Sequence, residues 1–414
     1  MAPQAKVLII GGGLSGLALA QGLKAAQVPF HVFERDTSAA FRAQGYRLRI
    51  NDDAIAALRQ LLPAPLFGAL EQVGAETAPG GHRLDAATGE ERGWPGGGPP
   101  PQHGRAHNAD RAVLRRLLLR GLEGDVSFGR CLVGYALRAG GAVEARFADG
   151  TGEVGTVLVG ADGVRSAVRK QFLPGLTILD SEGRAVFGKT EITPHLLSKV
   201  APQLADGICF SSADGQPLVS LFSDTMRWDR ERSAIPGIGI PNDYIYWVLC
   251  FRLDALQDVN SSPGGLVSLP PAESAQLSLH LTRSWHERLR VVFEAQEADE
   301  TASLPFYLVK QDSFISEWEN AHANNSEPVT LLGDAAHPIP PVAGLGASFA
   351  FQEAIDLYHA LVRISDGQHS IPEELAAYGE KMRQRMGSLL DKIMGPAARF
   401  FSMRPVQELG SVSI

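Results

Sequence analysis

Three glycines and one carboxylate near the start of the chain have the types and spacing that dinucleotide binding requires. Gly11, Gly13 and Gly16 match the pattern G-x-G-x-x-G. In that pattern the first glycine makes a tight turn, the second lets the backbone approach a pyrophosphate, and the third packs a helix closely on a strand. Glu34 ends the next apolar run and could accept hydrogen bonds from the hydroxyls of a ribose. The sequence therefore predicts a site for an ADP-containing dinucleotide.

A strand–helix–strand unit must hold these residues in place. Residues 6–10 and 30–33 are short, mainly apolar runs that suit buried parallel strands, and residues 14–23 suit the helix between them. That helix would direct its free N–H groups and the positive end of its dipole at the phosphate. A secretory signal is the competing interpretation, because residues 7–23 carry no charge. Three consecutive glycines and the second strand favour the dinucleotide site.

Two later segments also run from an apolar strand into glycine and aspartate. Residues 157–160 precede Asp162, which could either face a cofactor or cap the short helix that follows. Residues 329–332 lead to Asp334, whose carboxylate could bind a hydroxyl group. His337 beyond it is interpreted as structural rather than as an acid or base. Two glycines then open a helix that would place bare N–H groups against a cofactor, namely Gly344 and Gly346.

Several arginines are candidates for binding phosphate or the edge of a cofactor. Arg42 could reach a phosphate or a flavin oxygen, although a solvated surface position accounts for it equally well. Arg111 lies at the start of a helix predicted to open at residues 108–111, where it could bind a phosphate or ribityl oxygen. Its neighbours on that helix are expected to form a solvated face: Arg115, Arg116 and Arg120.

The segment from residue 173 to residue 325 differs in character. Its candidate strands do not alternate with long helices, which predicts a mostly antiparallel sheet with one face free to wall a pocket. These strands span residues 185–190, 207–210, 217–222 and 244–252. Aromatic side chains on them could contact a flat substrate, and core packing accounts for most of them equally well. The polar residues that could polarise a phenol or a carbonyl are Arg184, Lys189 and Tyr246.

Composition argues against several classes of protein. The 414 residues suffice for two domains, and 44% hydrophobic with 20% charged residues is ordinary for a globular chain. The net charge of −8 comes without a long basic run, so nucleic acid is not an expected partner. Three widely spaced cysteines form neither a metal cluster nor a disulfide framework, and no later apolar run is long enough for a bilayer. We expect a cytoplasmic protein with no metal and no membrane anchor.

The three motif segments together resemble those of the FAD-dependent monooxygenases of the p-hydroxybenzoate hydroxylase type, also called group A flavoprotein aromatic hydroxylases. Residues 11–16 with Glu34 resemble the family's ADP-binding fingerprint. Residues 160–163 resemble its DG motif, and Gly333-Asp334 with Pro338 resembles its GD motif. The order and separations fit over roughly residues 4–390.

The resemblance implies noncovalent FAD, with NADPH or NADH as a transient reductant. Arg111 matches the family arginine that starts the helix before the DG segment. Two positions depart from the family pattern, since Ser348 stands where asparagine is common and Gln352-Glu353 where Glu-Asp is frequent. The cofactor-binding residues expected on this basis are Gly11, Gly13, Leu14, Ser15, Gly16, Glu34, Arg35, Arg42, Gly45, Arg111, Asp162, Asp334, Gly344, Gly346, Ala347 and Ser348.

The fold implied is α/β. It comprises a discontinuous Rossmann-like FAD-binding domain, a smaller substrate domain on a mostly antiparallel sheet, and a C-terminal helical segment. The FAD-binding domain is expected to take residues 1–72, 104–175 and 326–365. The substrate domain would take residues 73–103 and 176–325. The C-terminal helices would take residues 366–414, with a break at Gly395-Pro396.

In this family dioxygen adds to the reduced flavin to give a C4a-hydroperoxide, whose outer oxygen is attacked by an electron-rich carbon. The implied activity is hydroxylation of an aromatic or otherwise electron-rich small molecule, for example in secondary metabolism, by a monomer or homodimer. An alkene epoxidase and an FAD-dependent reductase of the same fold remain alternatives, while the W-x-W-x-I-P segment of flavin halogenases is absent. A non-catalytic dinucleotide-binding regulator is disfavoured, and a plain NAD-dependent dehydrogenase would leave the Asp162 and Asp334 segments unexplained.

Overall fold

The computed structural model describes residues 6–39, 46–76, 81–94, 107–212, 219–256, 269–323, 327–341, 344–367, 369–400 and 403–414. Arg42, Gly45 and the proline-rich stretch after residue 94 lie outside the described residues.

The described chain alternates strands and helices in its first third and is dominated by strands in its middle. The strands are β1 (Val7–Ile10), β2 (Phe30–Phe33), β3 (Arg47–Ile50), β4 (Gly81–Asp85), β5 (His107–Asp110), β6 (Val126–Ser127), β7 (Leu132–Leu137), β8 (Val143–Phe147), β9 (Gly152–Gly155), β10 (Val157–Gly160), β11 (Ile178–Glu191), β12 (Ile208–Ser212), β13 (Val219–Met226), β14 (Tyr244–Arg252), β15 (Ala302–Val309), β16 (Val329–Leu331) and β17 (Ser411–Val412). The helices are α1 (Leu14–Ala25), α2 (Asp52–Leu61), α3 (Ala64–Val73), α4 (Arg111–Leu119), α5 (Ala167–Phe172), α6 (Pro194–Leu197), α7 (Pro271–Leu281), α8 (Glu287–Glu294), α9 (Gln311–Ala323), α10 (Gly346–Ser365) and α11 (Ile371–Phe400).

A five-stranded parallel sheet forms the first layer, in the order β16-β10-β1-β2-β6. All residues of β1, β10 and β16 are buried, because helices cover both faces of such a sheet. Helix α1 packs against α10, α2 and α4. The carboxyl ends of β1, β10 and β16 lie side by side at one edge, which is where ligands bind in open parallel sheets. The three motif segments each leave the sheet at that edge. The predicted strand–helix–strand unit is therefore confirmed, as are the predicted strands before Asp162 and Asp334.

The second layer is a mostly antiparallel sheet in the order β15-β11-β14-β13-β12-β4, with β17 beside β11. Its neighbours are antiparallel except β4 and β12, which run parallel. Successive residues of a strand face opposite sides. Along β14 they alternate between two cores, so that Tyr244 and Tyr246 pack toward the parallel sheet, while Trp247 and Leu249 pack on α7 and α8. The predicted antiparallel wall is therefore present, and one of its faces is turned toward the motif segments.

Two expectations about helices were wrong. Residues 108–110 belong to strand β5, which pairs antiparallel with β3, so α4 begins only at Arg111. Backbone pairing with β3 decides this, and Asp110 then caps the helix by accepting hydrogen bonds from the N–H groups of Ala112 and Val113. Helix α11 runs through the expected break at Gly395-Pro396 without interruption.

Some elements were not anticipated from the sequence. Strands β7, β8 and β9 form a separate antiparallel sheet in a region expected to bind FAD. After α11 the chain returns to the large sheet as β17, so the last residues are not helical. Within the part of the chain that the structure describes, no helix has an apolar stretch long enough to cross a bilayer.

Candidate active site

The first glycine loop is shaped for close approach of a ligand. Gly11 has φ +115°, and a Cβ there would lie 2.2 Å from the carbonyl oxygen of Ala161, so only glycine fits. A Cβ on Gly16 would meet the carbonyl oxygen of Gly11 at 2.3 Å. Gly13 differs, because a Cβ there would find no described atom within 4 Å. The loop thus packs tightly below Gly11 and leaves open space beside Gly13, as a phosphate-binding turn requires.

Glu34 holds this loop through both of its carboxylate oxygens. Oε2 accepts a hydrogen bond from the N–H of Gly12 at 2.8 Å, and Oε1 accepts one from the N–H of Asp36 at 2.9 Å. Arg115 donates to the carbonyl oxygen of Gly12 at 3.0 Å and lies 3.8 Å from Oε2 of Glu34. Arg35, also expected at the cofactor, is exposed beside Glu34.

The expectation that Arg115 belongs to a solvated face was wrong. Its side chain is only 11% exposed, and it joins α4 to the glycine loop. The signal was available in the sequence, since Arg115 follows Arg111 by one helical turn and therefore shares its face. Arg116 and Arg120 are both exposed, as expected, and Arg116 donates to the carbonyl oxygen of Gly239.

Arg111 lies between the motif segments and the second sheet. Its N–H donates to the carbonyl oxygen of Tyr46 at 3.0 Å, and its guanidinium lies 5.6 Å from the centre of the Tyr46 ring. Tyr46 in turn stacks on Phe187 of β11 at 5.4 Å between ring centres. The charge of Arg111 is close enough to Asp334 to contribute to the pKa of that carboxyl. The structure therefore brings Arg111 and Asp334, two predicted cofactor residues from distant parts of the sequence, close together.

Asp162 caps helix α5, as one of its two interpretations anticipated. Its carboxylate accepts hydrogen bonds from the N–H of Ala167 at 2.7 Å and from the hydroxyl of Ser166 at 2.5 Å. Burial raises the pKa of Asp162 above its ordinary value, against the lowering effect of these hydrogen bonds. A direct contact of Asp162 with the cofactor stays a prediction.

Arg169 connects the DG segment to the GD segment. It is 3% exposed and donates hydrogen bonds to the carbonyl oxygens of Val164 at 2.6 Å, Ala335 at 3.0 Å and Asp334 at 3.3 Å. Burial lowers the pKa of this guanidinium, and the nearby Asp162 and Asp334 carboxylates oppose the shift. Sequence reasoning did not single out Arg169, because its partners in the GD segment, the carbonyl oxygens of Asp334 and Ala335, are backbone atoms 165 and 166 residues away.

Asp334 presents a free carboxylate at the carboxyl edge of the parallel sheet. It accepts no hydrogen bond within the part of the chain that is described, and its side chain is exposed. Protein nevertheless surrounds it closely, so that desolvation raises the pKa of Asp334, while His337 and Arg111 lower it. Gly333 before it has φ +63°, and a Cβ there would lie 3.5 Å from Oγ of Ser15 on α1, which places Asp334 beside the glycine loop.

A buried pair supports the Asp334 turn. Oε2 of Glu353 accepts a hydrogen bond from the N–H of Gly333 at 2.9 Å, and Oε1 lies 2.6 Å from Nε2 of His337. His337 is 2% exposed and Glu353 is fully buried. Burial alone would lower the pKa of His337, but the Glu353 carboxylate raises it above the ordinary value. The pair accounts for His337 as a supporting residue, and Glu353 occupies one of the two positions that depart from the family pattern.

The start of α10 is fastened to β3. The hydroxyl of Ser348 accepts a hydrogen bond from the N–H of Asn51 at 3.2 Å and donates to the carbonyl oxygen of Arg49 at 3.4 Å. A Cβ on Gly346 would meet no described atom within 4 Å, so the helix opens into free space. Ala347 and Leu14 are half-buried in the first turns of α10 and α1. A contact of Ser348 with the cofactor remains a prediction.

The structure brings Lys189 and Tyr246 together but separates them from Arg184. Lys189 and Tyr246 are partners in the β11–β14 register on the face toward the motif segments, whereas Arg184 falls on the opposite face. Both guanidinium N–H groups of Arg184 donate to Asp180 at 2.8 Å. Lys189 forms an ion pair with Glu300. Tyr246 is 5% exposed, and burial raises the pKa of its phenol well above the ordinary value, so the hydroxyl is a neutral donor.

FAD fits this edge of the sheet on the evidence of the donor set. The open space beside Gly13 suits a pyrophosphate, and the unpaired Asp334 carboxylate suits a hydroxyl of the ribityl chain. Glu34 lies at the end of β2, where a ribose is expected.

Comparison with known proteins agrees with this assignment. The family described as "FAD binding domain" matches residues 290–392, and that described as "NAD(P)-binding Rossmann-like domain" matches residues 9–59. The dual O-methyltransferase/FAD-dependent monooxygenase elcB of Phaeosphaeria nodorum is 35% identical over 97% of this chain and 47% of its own length. The corresponding protein CTB3 of Cercospora nicotianae is 34% identical over 92% of this chain and 44% of its own length. The chain thus spans about half the length of these relatives.

A third relative, FAD-dependent monooxygenase phnB of Penicillium herquei, is 28% identical over 92% of this chain and 88% of its own length. A solved FAD-containing monooxygenase of Photorhabdus luminescens shares the fold with a TM-score of 0.75 and 24% identity, over 95% of this chain and 97% of that one. A dihydroxypyridine hydroxylase of Arthrobacter nicotinovorans gives a TM-score of 0.71 with 20% identity, over 99% and 97% of the two chains.

The motifs, the fold and these relatives define a chain with an FAD-binding domain. The chain has the FAD-binding domain and the fold of the monooxygenases of the p-hydroxybenzoate hydroxylase type, so the resemblance of its three motifs is confirmed.

Proposed function

We propose that this chain catalyses an FAD- and NAD(P)H-dependent monooxygenation, in which one oxygen atom of O2 hydroxylates an aromatic or otherwise electron-rich small molecule. The observation that carries the proposal is the meeting of three strand ends at one sheet edge, beside the unpaired Asp334 carboxylate and opposite an aromatic wall.

The three cysteines are free thiols, and on that ground we also propose a reducing, cytoplasmic setting.

In this proposal the chain's own residues bind and orient the cofactor. Glu34 accepts from the ribose, the N–H groups around Gly13 hold the pyrophosphate, and Asp334 accepts from the ribityl chain. Bound FAD would supply the redox chemistry of dioxygen activation. The positive end of α10 would favour negative charge on a flavin ring bound beside it.

The second sheet excludes water and positions the substrate. Phe187 and Phe222 lie on the face toward the motif segments, and Tyr246 offers a neutral hydroxyl that can donate to an oxygen of the substrate. Lys189 acts less directly, because Glu300 already balances its charge. Arg184 is a weaker candidate still, since Asp180 engages its guanidinium.

The test is the behaviour of the purified protein with FAD. We expect a yellow protein with noncovalent FAD that oxidises NADPH or NADH and takes up oxygen faster when a substrate from a panel of phenols and polyketides is added. Asp334→Ala should lose flavin while keeping its fold, with the exposed Asp366→Ala as the matched control. A protein that takes up no FAD contradicts the proposal. Flavin reduction without oxygen uptake against any compound would favour the reductase.

A further inference from the structure

Two arginines of β3 point toward the antiparallel sheet, and one of them is neutralised there. Arg47 and Arg49 lie two residues apart and so share a face of the strand. Arg47 lies 2.6 Å from a carboxylate oxygen of Asp224 on β13, and both side chains are buried. Its guanidinium also covers the ring of Phe222 at 5.4 Å. The charges of Arg47 and Asp224 therefore balance each other.

Arg49 has no such counter-charge. It is half-buried, and within the described ranges of the chain it makes no hydrogen bond or ion pair through its guanidinium. Burial lowers the pKa of Arg49, and the neighbouring charge of Arg47 lowers it further, while Asp224 offsets this only in part. A partly desolvated cation without a partner is costly to the folded protein. Such a group is expected where a ligand brings the missing negative charge.

Arg49 lies beside the N-terminal end of α10. A Cβ on Gly344 would lie 3.5 Å from Cβ of Arg49, and the carbonyl oxygen of Arg49 accepts from Ser348 in the first turn of the helix. The free N–H groups of that turn add positive potential at the same place. The part of the sheet beside the neighbouring Arg47 is aromatic, since the Phe222 ring that Arg47 covers lies 5.2 Å from Phe210 and 6.2 Å from Tyr246 between ring centres.

We propose that Arg49 binds an anionic oxygen of the substrate, a phenolate or an enolate carried on a flat aromatic ring system. The inference rests on the proposed function and names the class of substrate for the same site. A guanidinium can donate two parallel hydrogen bonds, so neighbouring oxygens such as those of a hydroxyquinone suit it better than a single oxygen. The partly exposed rings of Phe210 and Phe222 then provide the surface on which the ring system lies.

The reduced flavin is a second source of the same anionic chemistry, and the experiment must separate the two. Arg49→Gln removes the charge, Arg49→Lys retains a charge but not the fork of donors, and Arg59→Gln removes an exposed arginine of α2 as a control. The probes are lawsone, a flat hydroxynaphthoquinone that is an anion at neutral pH, and its methyl ether, a neutral molecule of similar outline. Their affinities for the oxidised, FAD-loaded protein are measured by calorimetry, without turnover.

We expect wild type and Arg59→Gln to bind lawsone at least about tenfold more tightly than the ether. Arg49→Gln should abolish that preference, and Arg49→Lys should retain part of it. A wild-type protein that binds both probes equally, or neither, overturns the proposal. An unchanged preference in Arg49→Gln also overturns it, and a lowered flavin midpoint potential in that variant would assign Arg49 to the flavin instead. Failure of the proposed function would appear separately, as absence of FAD uptake or of oxygen consumption.

Discussion

Glu353 and His337 form a buried pair in which Oε1 of the carboxylate lies 2.6 Å from Nε2 of the imidazole. The second carboxylate oxygen accepts a hydrogen bond from the N–H of Gly333, the residue before Asp334. The side chain of Glu353 on α10 therefore fixes both ends of the turn that carries the Asp334 carboxylate. The pair thereby supports the position of Asp334.

Replacing Glu353 should destabilise this turn strongly. Glu353→Ala leaves a buried imidazolium and a buried N–H without partners, so we expect a loss of about 3–5 kcal/mol in the free energy of unfolding. Glu353→Gln keeps an oxygen for the N–H of Gly333 and should lose less. Urea unfolding of the FAD-loaded protein measures both, with the exposed His359→Ala on the same helix as control. Equal stability of Glu353→Ala and His359→Ala would show that the pair does not support the fold.

The same pair should make stability depend on pH. The pKa of His337 is raised above 6.5 in the folded protein, so the folded state binds the proton more tightly than the unfolded chain. The stabilisation is therefore complete below pH 6.5 and is lost as the pH rises through the folded-state pKa. We expect the unfolding free energy of wild type to exceed that of His337→Gln by more at about pH 6 than at about pH 9.

Nearby groups titrate in both proteins, so the comparison is made between wild type and variant at each pH. The charged groups that face His337 are Glu353, Asp334 and, beyond them, Arg111 and Arg169. His359→Gln is the control, because its histidine is exposed on the same helix. A difference between wild type and His337→Gln that does not change with pH would contradict the assignment of charge to this pair.

Local pattern and side-chain pairing explain what could be predicted from the sequence. The first strand–helix–strand unit and the strand Tyr244–Arg252 were predictable, because short apolar runs bounded by glycine or polar residues have few alternative structures. Residues 108–110 were misassigned to a helix, since their pairing with β3 is a tertiary interaction that their own sequence does not encode. The strand and the glycine turn that carry Asp334 were predictable as a motif, and the contact of Asp334 with the cofactor stays a prediction.

The supporting residues of the site were not predictable in the same way. Three of these residues form hydrogen bonds with backbone atoms of other segments, namely Arg169, Arg115 and Glu353. Nearly every residue type offers the same backbone groups, so the sequence does not show which backbone atom is the partner. The separation of Arg184 from Tyr246 depends on the face of each strand that the register selects, which an unaligned strand does not reveal.

Arg115 should contribute to FAD affinity although it is not expected to touch FAD. Its loss removes the hydrogen bond to the carbonyl oxygen of Gly12 and the charge beside Glu34, so the loop and the carboxylate lose their support. We expect Arg115→Ala to weaken FAD binding about tenfold, which corresponds to the loss of one charge-assisted hydrogen bond. Arg116→Ala, one residue along α4, is the control. Fluorescence titration of the apoprotein with FAD measures both, and equal affinities would contradict the role given to Arg115.

Arg169 should couple the two aspartate motifs. Arg169→Met keeps the length of the side chain but leaves the carbonyl oxygens of Val164, Asp334 and Ala335 without this donor. We expect a loss of about 3 kcal/mol in the free energy of unfolding together with weaker FAD binding. Lys170→Met, exposed on the same helix, should change neither quantity. A variant at Arg169 that loses stability but binds FAD normally would limit the arginine to a role in the fold.

Gly11 and Gly13 should respond to alanine in opposite ways, and the contrast locates the cofactor. Gly11→Ala forces a side chain into φ +115° and against the carbonyl oxygen of Ala161, so we expect more than about 2 kcal/mol of destabilisation even without FAD. Gly13 has φ −76°, which alanine adopts freely, and its Cβ would meet open space. Gly13→Ala should therefore unfold like wild type as apoprotein and yet bind FAD at least about tenfold less tightly, because the methyl group occupies the approach of the pyrophosphate. Thermal unfolding of the apoproteins and FAD titration separate the two effects. Normal FAD affinity in Gly13→Ala would mean that the pyrophosphate does not lie at this turn.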